Sequence, residues 1–216
     1  MKIWKKIAVV VMAVVMILPL MMGFAVRAAD NPKQLDVLFT HDTHSHLNSF
    51  TTIVNGKKEE AGGFAKLKTL IEEQKKANPD TLVLDGGDFS MGTLIQTVYD
   101  TEAVELRMLG YLGYDVTTLG NHEFDYRSKG LADMLTAAKK SGEAVPNLVL
   151  CNVDWNAMEE AGLKEGQKQL QAAFETYGVK DYVVVQKGDI KIAVIGVFGE
   201  DALECAPTCE LQFKDP

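Results

Sequence analysis

The stretch Leu119-Gly120-Asn121-His122-Glu123-Phe124-Asp125 packs an amide oxygen, an imidazole and two carboxylates into five consecutive positions. It follows a β-branched run over residues 115–118 and precedes a helical pattern, so it is predicted to form the loop at the C-terminal end of a strand. Gly120 lets the backbone turn tightly there. Folded cores rarely need such a run, whereas a site that holds a cation and handles an anionic substrate does. Two other stretches answer it. Thr40-His41-Asp42-Thr43-His44-Ser45-His46 follows the apolar run 35–39, and Gly86-Gly87-Asp88 follows the run 81–85. In open α/β sheets ligands bind beyond the carboxyl ends of the strands, so three such loops are expected to converge. All four histidines of the chain, His41, His44, His46 and His122, fall in two of these three motifs.

Asp42 and His44, two apart on what reads as an extended segment, would share a side and clasp one cation. Asp88 would bridge two cations with its two oxygens, and Asn121 would add a neutral oxygen where ligand charge must stay low. Mixed nitrogen and oxygen donors suit Zn²⁺, Mn²⁺, Fe or Co better than a dedicated thiolate zinc site. Two cations about 3.5–4 Å apart activate a water and clamp the oxygens of an in-line displacement at phosphorus. His122 is then expected to face the substrate, with Asp125 holding its other ring nitrogen. His46 reads as structural or supporting. His41, on the opposite face from Asp42, reads as no ligand. Each motif alone also has an ordinary reading: Gly-Gly-Asp as a turn closed by an Asx-type hydrogen bond, Asn121-His122-Glu123 as a helix N-cap with an acid in its first turn. Three strand-exit motifs in this order outweigh three unrelated turns.

The elements that must position these loops follow from periodicity. Strands are predicted at residues 35–39, 81–85, 115–118 and 148–151. They alternate with helices up to residue 77, over about 100–112, and around Leu131, Met134, Leu135 and Ala138. Asn78-Pro79 ends the first helix. Residues 48–63 read as a loop or small hairpin turning at Asn55-Gly56. Residues 156–177 read as a surface helix interrupted near Gly162 and Gly166. Residues 182–186 and 190–198 flank Lys187-Gly188-Asp189 as a β-hairpin, and residues 199–216 read as loop. This alternation predicts an α/β domain with a largely parallel sheet.

Charge and cysteine narrow the setting. Lys2, Lys5 and Lys6 precede an apolar run over residues 7–24, and Val26-Arg27-Ala28 offers small residues before Ala29, which together read as a secretory signal peptide. An uncleaved membrane anchor is the competing reading of that run. The first 28 residues hold four of the 22 basic residues and no acid, leaving 18 basic against 30 acidic residues and a net charge of −12. So acidic a surface argues against nucleic-acid polymers as partners. A small phosphate ester remains compatible where cations supply the positive charge. Cys205 and Cys209 are spaced to close a short disulfide loop, which an exported protein permits without requiring, and Cys151 reads as core packing.

Asp42-Thr43-His44, Gly87-Asp88 and Gly120-Asn121-His122-Glu123, in that order and spacing, resemble the calcineurin-like metallophosphoesterase superfamily. The fuller strings, from Thr40 to Leu47 and from Gly120 to Asp125, look like its secreted bacterial 5′-nucleotidase and 2′,3′-cyclic-nucleotide phosphodiesterase branch, over residues 35 to about 200. The resemblance implies a four-layer α/β/β/α sandwich of two sheets, followed by a C-terminal domain that holds the nucleoside. It also implies two divalent metal ions (Zn, Mn, Fe, Co, Ca or Mg), with Asp42 and His44 on the first, Asp88 bridging and Asn121 on the second. His122 and Asp125 would be the catalytic dyad. The family completes its site with a later histidine and a Gly-His-x-His motif, and no histidine follows His122. The expectation is therefore an incomplete sandwich: a signal peptide at 1–28, a linker at 29–34, and the N-terminal part of a metallophosphoesterase domain at 35–216.

The function this implies is an exported dinuclear-metal phosphoesterase of the 5′-nucleotidase type, with cyclic phosphodiesters and nucleotide sugars as further candidate substrates. The piece by itself is expected to be inactive. It would act on a small nucleotide or phosphate ester outside the cell, at its surface or in the periplasm, with any membrane or cell-wall attachment written beyond residue 216. Two readings compete with it: a non-catalytic surface module that binds a cation or a partner, and a phosphoesterase for non-nucleotide esters.

Overall fold

Strand β1 (Val37–Thr40) opens the domain in a computed structural model that describes residues 34–215. The signal-peptide reading (residues 1–28) and, but for Gln34, the linker lie outside the described residues. The first candidate loop leads into an antiparallel hairpin, β2 (Phe50–Val54) and β3 (Lys57–Ala61). Its turn residues Asn55 and Gly56 are both left-handed, with φ of 52° and 78°, the pair of conformations this turn needs. Helix α1 (Phe64–Ala77) buries Phe64 and Ile71 and stops at Asn78, whose backbone is extended as the following proline requires. Strand β4 (Leu82–Asp85) comes next, then a 3₁₀ turn at Leu94–Val98 and two helices, α2 (Tyr99–Glu102) and α3 (Val104–Leu112). The apolar pattern over 100–112 reads as one helix. The chain instead breaks at Ala103, fully buried at φ 47°, a left-handed conformation that a right-handed helix does not continue through.

Strand β5 (Val116–Thr117) runs into a 3₁₀ turn at His122–Phe124 and then helix α4 (Arg127–Lys140). Strand β6 (Asn147–Leu148) follows, shorter than the apolar run suggests, with helices α5 (Trp155–Ala161) and α6 (Glu165–Tyr177) after it. The predicted interruption separates these two helices. The second hairpin is β7 (Tyr182–Lys187) and β8 (Ile190–Ile195), and a short helix α7 (Glu200–Glu204) forms where the sequence reads as loop. Glu200 and Asp201 stand in its first turn, where the helix dipole favours acids.

The four strands β1, β4, β5 and β6 pair in parallel, in the order β1-β4-β5-β6. Side chains alternate across this sheet. Val83 joins the main core with Ile71, Leu106, Leu131 and Leu148, whereas Leu84 packs with Val116 and Val149 against Val183, Val185 and Val194 of the second hairpin. Helices thus cover one face and the antiparallel hairpin begins a layer on the other, giving an α/β architecture of the incomplete sandwich type. On β1, Leu38 packs against the core, and Val37 and Phe39 remain 47% and 60% exposed.

The tail is tied down by Asn152, buried beside β6. It accepts from Phe198 N at 2.9 Å and donates to the carbonyls of Phe198 and Lys214 at 2.9 and 3.1 Å. Cys151, Cys205 and Cys209 are free thiols rather than a closed loop, and burial pushes the Cys209 thiol up to about 11. No helix among the described residues is long and apolar enough to cross a membrane.

Candidate metal centre

Because β1, β4 and β5 are neighbours, the loops leaving their C-terminal ends emerge side by side. Asp85, buried at the end of β4, fastens the three ends together. It accepts from Thr40 Oγ1 of β1 at 2.7 Å, and from Gly87 N and Thr117 Oγ1 of β5 at 3.0 Å each. Burial raises its carboxyl above the usual range, and these three bonds oppose that rise. Past the strand ends the first two loops continue to pair, with Asp42 N on Gly87 O, His44 N on Asp88 O and Ser45 N on Phe89 O, at 2.9–3.1 Å.

This pairing gathers Asp42, His44 and Asp88 so that one ligand atom from each lies within 4.8 Å of the others. The reason differs from the alternation expected of an extended segment. Asp42 (φ 53°), His44 (φ 44°) and Asp88 (φ 52°) are all left-handed, so the loops curl and aim their side chains inward. Such conformations cost non-glycine residues roughly 1–3 kcal/mol each and persist where the surroundings impose them, commonly at functional sites. His44 places Nδ1 3.2 Å from Ser90 O and 3.0 Å from Met91 O, so Nδ1 carries the proton and donates to carbonyl oxygens. Nε2 is then left as a lone pair, 3.5 Å from Asp42 Oδ1. An imidazole anchored through one nitrogen with the other free is the usual disposition of a metal-binding histidine.

The donor chemistry fits a divalent cation. Asp42 and Asp88 converge, yet among the described residues neither forms an ion pair with a lysine or arginine. Burial holds Asp88 above the usual carboxylate range, a strain that a bound cation relieves. Asp42 is held below that range chiefly by the hydrogen bond from His41. His41 therefore touches the cluster through Asp42 and is not among the three residues that converge. His46 stands outside this cluster, with its ring nitrogen 3.3 Å from Thr43 O and its ring edge-on to Phe50.

The third loop closes over this trio. His122 N donates to Asp88 Oδ1 at 2.9 Å, and the His122 ring meets His44 edge-on at 5.0 Å between centroids. His122 Nδ1 lies 3.0 Å from Asp125 Oδ2, three residues along the 3₁₀ turn. Burial works against the imidazolium and is the largest single influence, but the Asp125 bond and the charges of Asp125, Asp88 and Glu123 together outweigh it and lift the His122 pKa above its ordinary value. A raised imidazole pKa favours the folded state below about 6.5, and the benefit fades as pH climbs through the folded value. Asp125→Asn is accordingly expected to lower the His122 pKa, read from the imidazole resonances in an NMR titration. Asn121 lines the same cleft of about 300 Å³ as Asp42 and Asp88. Its Nδ2 donates to Cys205 O at 3.4 Å, which turns Oδ1 the other way.

Glu123 is the residue whose part the motif reading missed. Its carboxylate is fully buried and accepts from Asp88 N at 2.9 Å, Gly120 N at 2.6 Å, Ser90 N at 3.0 Å and Ser90 Oγ at 2.7 Å. One side chain thus joins the second loop to the third. Burial pushes its carboxyl up to about 7, with the bonds from Ser90 and Gly120 pulling the other way. The available signal was an acid set between His122 and Phe124 in a turn too short to bury it by periodicity.

Comparison with known proteins agrees with this geometry. The family described as calcineurin-like phosphoesterase matches residues 35–199. The 5′-nucleotidase of Bos taurus is 39% identical over 120 residues, covering 54% of this chain and 21% of the relative. The trifunctional nucleotide phosphoesterase protein YfkN of Bacillus subtilis is 28% identical over 202 residues, covering 86% of this chain and 13% of the relative. The crystal structure of the 5′-nucleotidase precursor from Thermus thermophilus superposes with a TM-score of 0.64 at 28% identity, covering 84% of this chain and 32% of that one. The chain therefore spans about a third or less of the length of each of these proteins. Three strand-exit loops gathered at one end of a parallel sheet, and a family match across most of the domain, lead to one conclusion: the chain belongs to the calcineurin-like phosphoesterase family.

Proposed function

We propose that this chain is the metal-holding part of an exported nucleotide phosphoesterase, of 5′-nucleotidase type, that releases phosphate from a nucleoside monophosphate. The observation that carries the reading is the convergence of Asp42, His44 and Asp88 within 4.8 Å at the ends of β1 and β4. In this reading Asp42, His44, Asp88 and Asn121 are the residues that would hold two divalent cations. Bound cations of this kind supply an activated water and neutralise charge on the phosphoryl oxygens. The remaining work falls to the chain's own groups. Asp125 keeps His122 protonated at Nδ1 and oriented, and the imidazole donates toward the phosphoryl or leaving oxygen as charge builds there.

Export rests on the signal-peptide reading of residues 1–28, and the nucleotide preference on what the relatives are named for. Cyclic phosphodiesters and nucleotide sugars are further candidate substrates. Chelation by EDTA is expected to abolish phosphate release from AMP by the full-length protein, and Asp88→Asn to lower it by at least about a hundredfold. Turnover unchanged by both treatments would refute the reading. Sugar and lipid phosphates assayed beside AMP separate it from a phosphoesterase for other esters.

A further inference from the structure

Helix α3 carries a buried carboxylate with no part in the site described so far. Glu105 is 1% exposed, and its Oε1 accepts from Ser45 Oγ at 2.6 Å. Its Oε2 is buried with no hydrogen-bond partner among the described residues. Burying a carboxylate is expensive unless its oxygens are satisfied, so a single bond to a serine is poor compensation in stability alone.

Where the bond leads is the informative part. Ser45 is fully buried and follows His44 directly, and the two are consecutive left-handed residues with φ of 44° and 53°. Neither residue type prefers that conformation, so the turn relaxes unless it is held from outside. Ser45 O accepts from Leu47 N within the turn at 2.9 Å, and three contacts reach Ser45 from outside it: its N on Phe89 O at 2.9 Å, its O by Thr93 Oγ1 at 2.9 Å, and its Oγ on Glu105. The first two partners, Phe89 and Thr93, both lie in the connection between β4 and α2. Of the three, Glu105 alone sits on an α-helix, buried beside Leu106 of the main core.

We propose that Glu105 is a positioning residue for the metal centre. Through Ser45 it holds the left-handed turn that keeps His44 Nδ1 on the Ser90 and Met91 carbonyls and Nε2 toward Asp42. This rests on reading Asp42, His44 and Asp88 as a metal centre.

Zn²⁺ titration of the purified chain by calorimetry, beside thermal unfolding of each variant, tests it. Ser45→Ala and Glu105→Ala are each expected to weaken Zn²⁺ binding about tenfold, the range seen when a ligand loses its supporting partner. The double variant is expected to be no weaker than the weaker single one, because both remove the same bond. Glu105→Gln keeps an acceptor for Ser45 Oγ and is expected to stay within about threefold of the parent. Ser45→Ala removes one hydroxyl and is the variant that decides if Glu105→Ala fails to fold. Parent affinity in Ser45→Ala overturns the proposal, as does additive loss in the double variant. Parent and Asp88→Asn binding Zn²⁺ alike overturns the metal-centre reading itself. Loss in Asp88→Asn with no loss in Ser45→Ala overturns the role of Glu105 alone.

Discussion

Glu123→Ala is expected to destabilise the domain by about 3 kcal/mol or more and to abolish tight metal binding together with it. The substitution strips the acceptor from three backbone N–H groups, those of Asp88, Ser90 and Gly120, and from one hydroxyl, Ser90 Oγ. A buried donor left without a partner costs about 1–3 kcal/mol, so losing even part of this set exceeds the effect of an ordinary surface change. Glu123→Gln separates charge from shape. All four partners donate to the carboxylate, and an amide can accept on one side only. Ser90 Oγ is able to rotate and accept, so the amide nitrogen is expected to face Ser90 and leave Ser90 N unpaired. The glutamine variant should therefore fall between the parent and the alanine variant in unfolding midpoint, measured in EDTA. Burial that lifts the Glu123 carboxyl to about 7 makes the folded state take up a proton between the ordinary carboxyl range and that value. Stability should then fall across this interval as pH rises, and the slope should flatten in both variants.

A methyl group at position 120 is the second large perturbation. A Cβ built on Gly120 lies 2.2 Å from Asp88 Oδ1 and 2.5 Å from both Asp88 Cγ and Asp88 N. No real side chain tolerates such contacts, so the Asp88 carboxylate or its loop must move. Gly120→Ala is expected to cut Zn²⁺ affinity by about a hundredfold, the upper end of what disturbing a ligand's support produces. Gly87 is the more restricted of the pair. Its φ of 93° is left-handed, and a Cβ there meets backbone on the neighbouring loop, 2.4 Å from Gly120 N. Both sites meet backbone, but Gly87 adds the cost of a left-handed φ, so Gly87→Ala is expected to lower the unfolding midpoint further than Gly120→Ala. Equal Zn²⁺ affinity in parent and Gly120→Ala would show that Asp88 does not ligate from its observed position.

Periodicity in the chain was enough to name most elements, because helix and strand patterns depend on neighbours within a turn or two. The predicted helix ending at Asn78-Pro79, the Asn55-Gly56 hairpin, the break before α6 and the second hairpin are all local matters of backbone preference, and the structure contains each of them. Residue types likewise announced where nitrogen and oxygen donors would cluster. What local pattern could not carry was direction. Asp42, His44 and Asp88 meet because their backbones are left-handed, and that conformation is imposed by pairing between loops some 45 residues apart, as in the bond from Thr40 to Asp85 at the strand ends beneath them. Ala103 splits a run that reads as one helix, and Glu123 is buried in a turn where an acid reads as a surface cap. Glu123 bonds Asp88 N across 35 residues, and Glu105 reaches Ser45 across 60. Side-chain chemistry and short-range preference are properties of a residue and its neighbours in the chain. Burial, strained backbone and the satisfaction of a buried carboxylate belong to groups that become neighbours only on folding, which is why tertiary structure alone decided them.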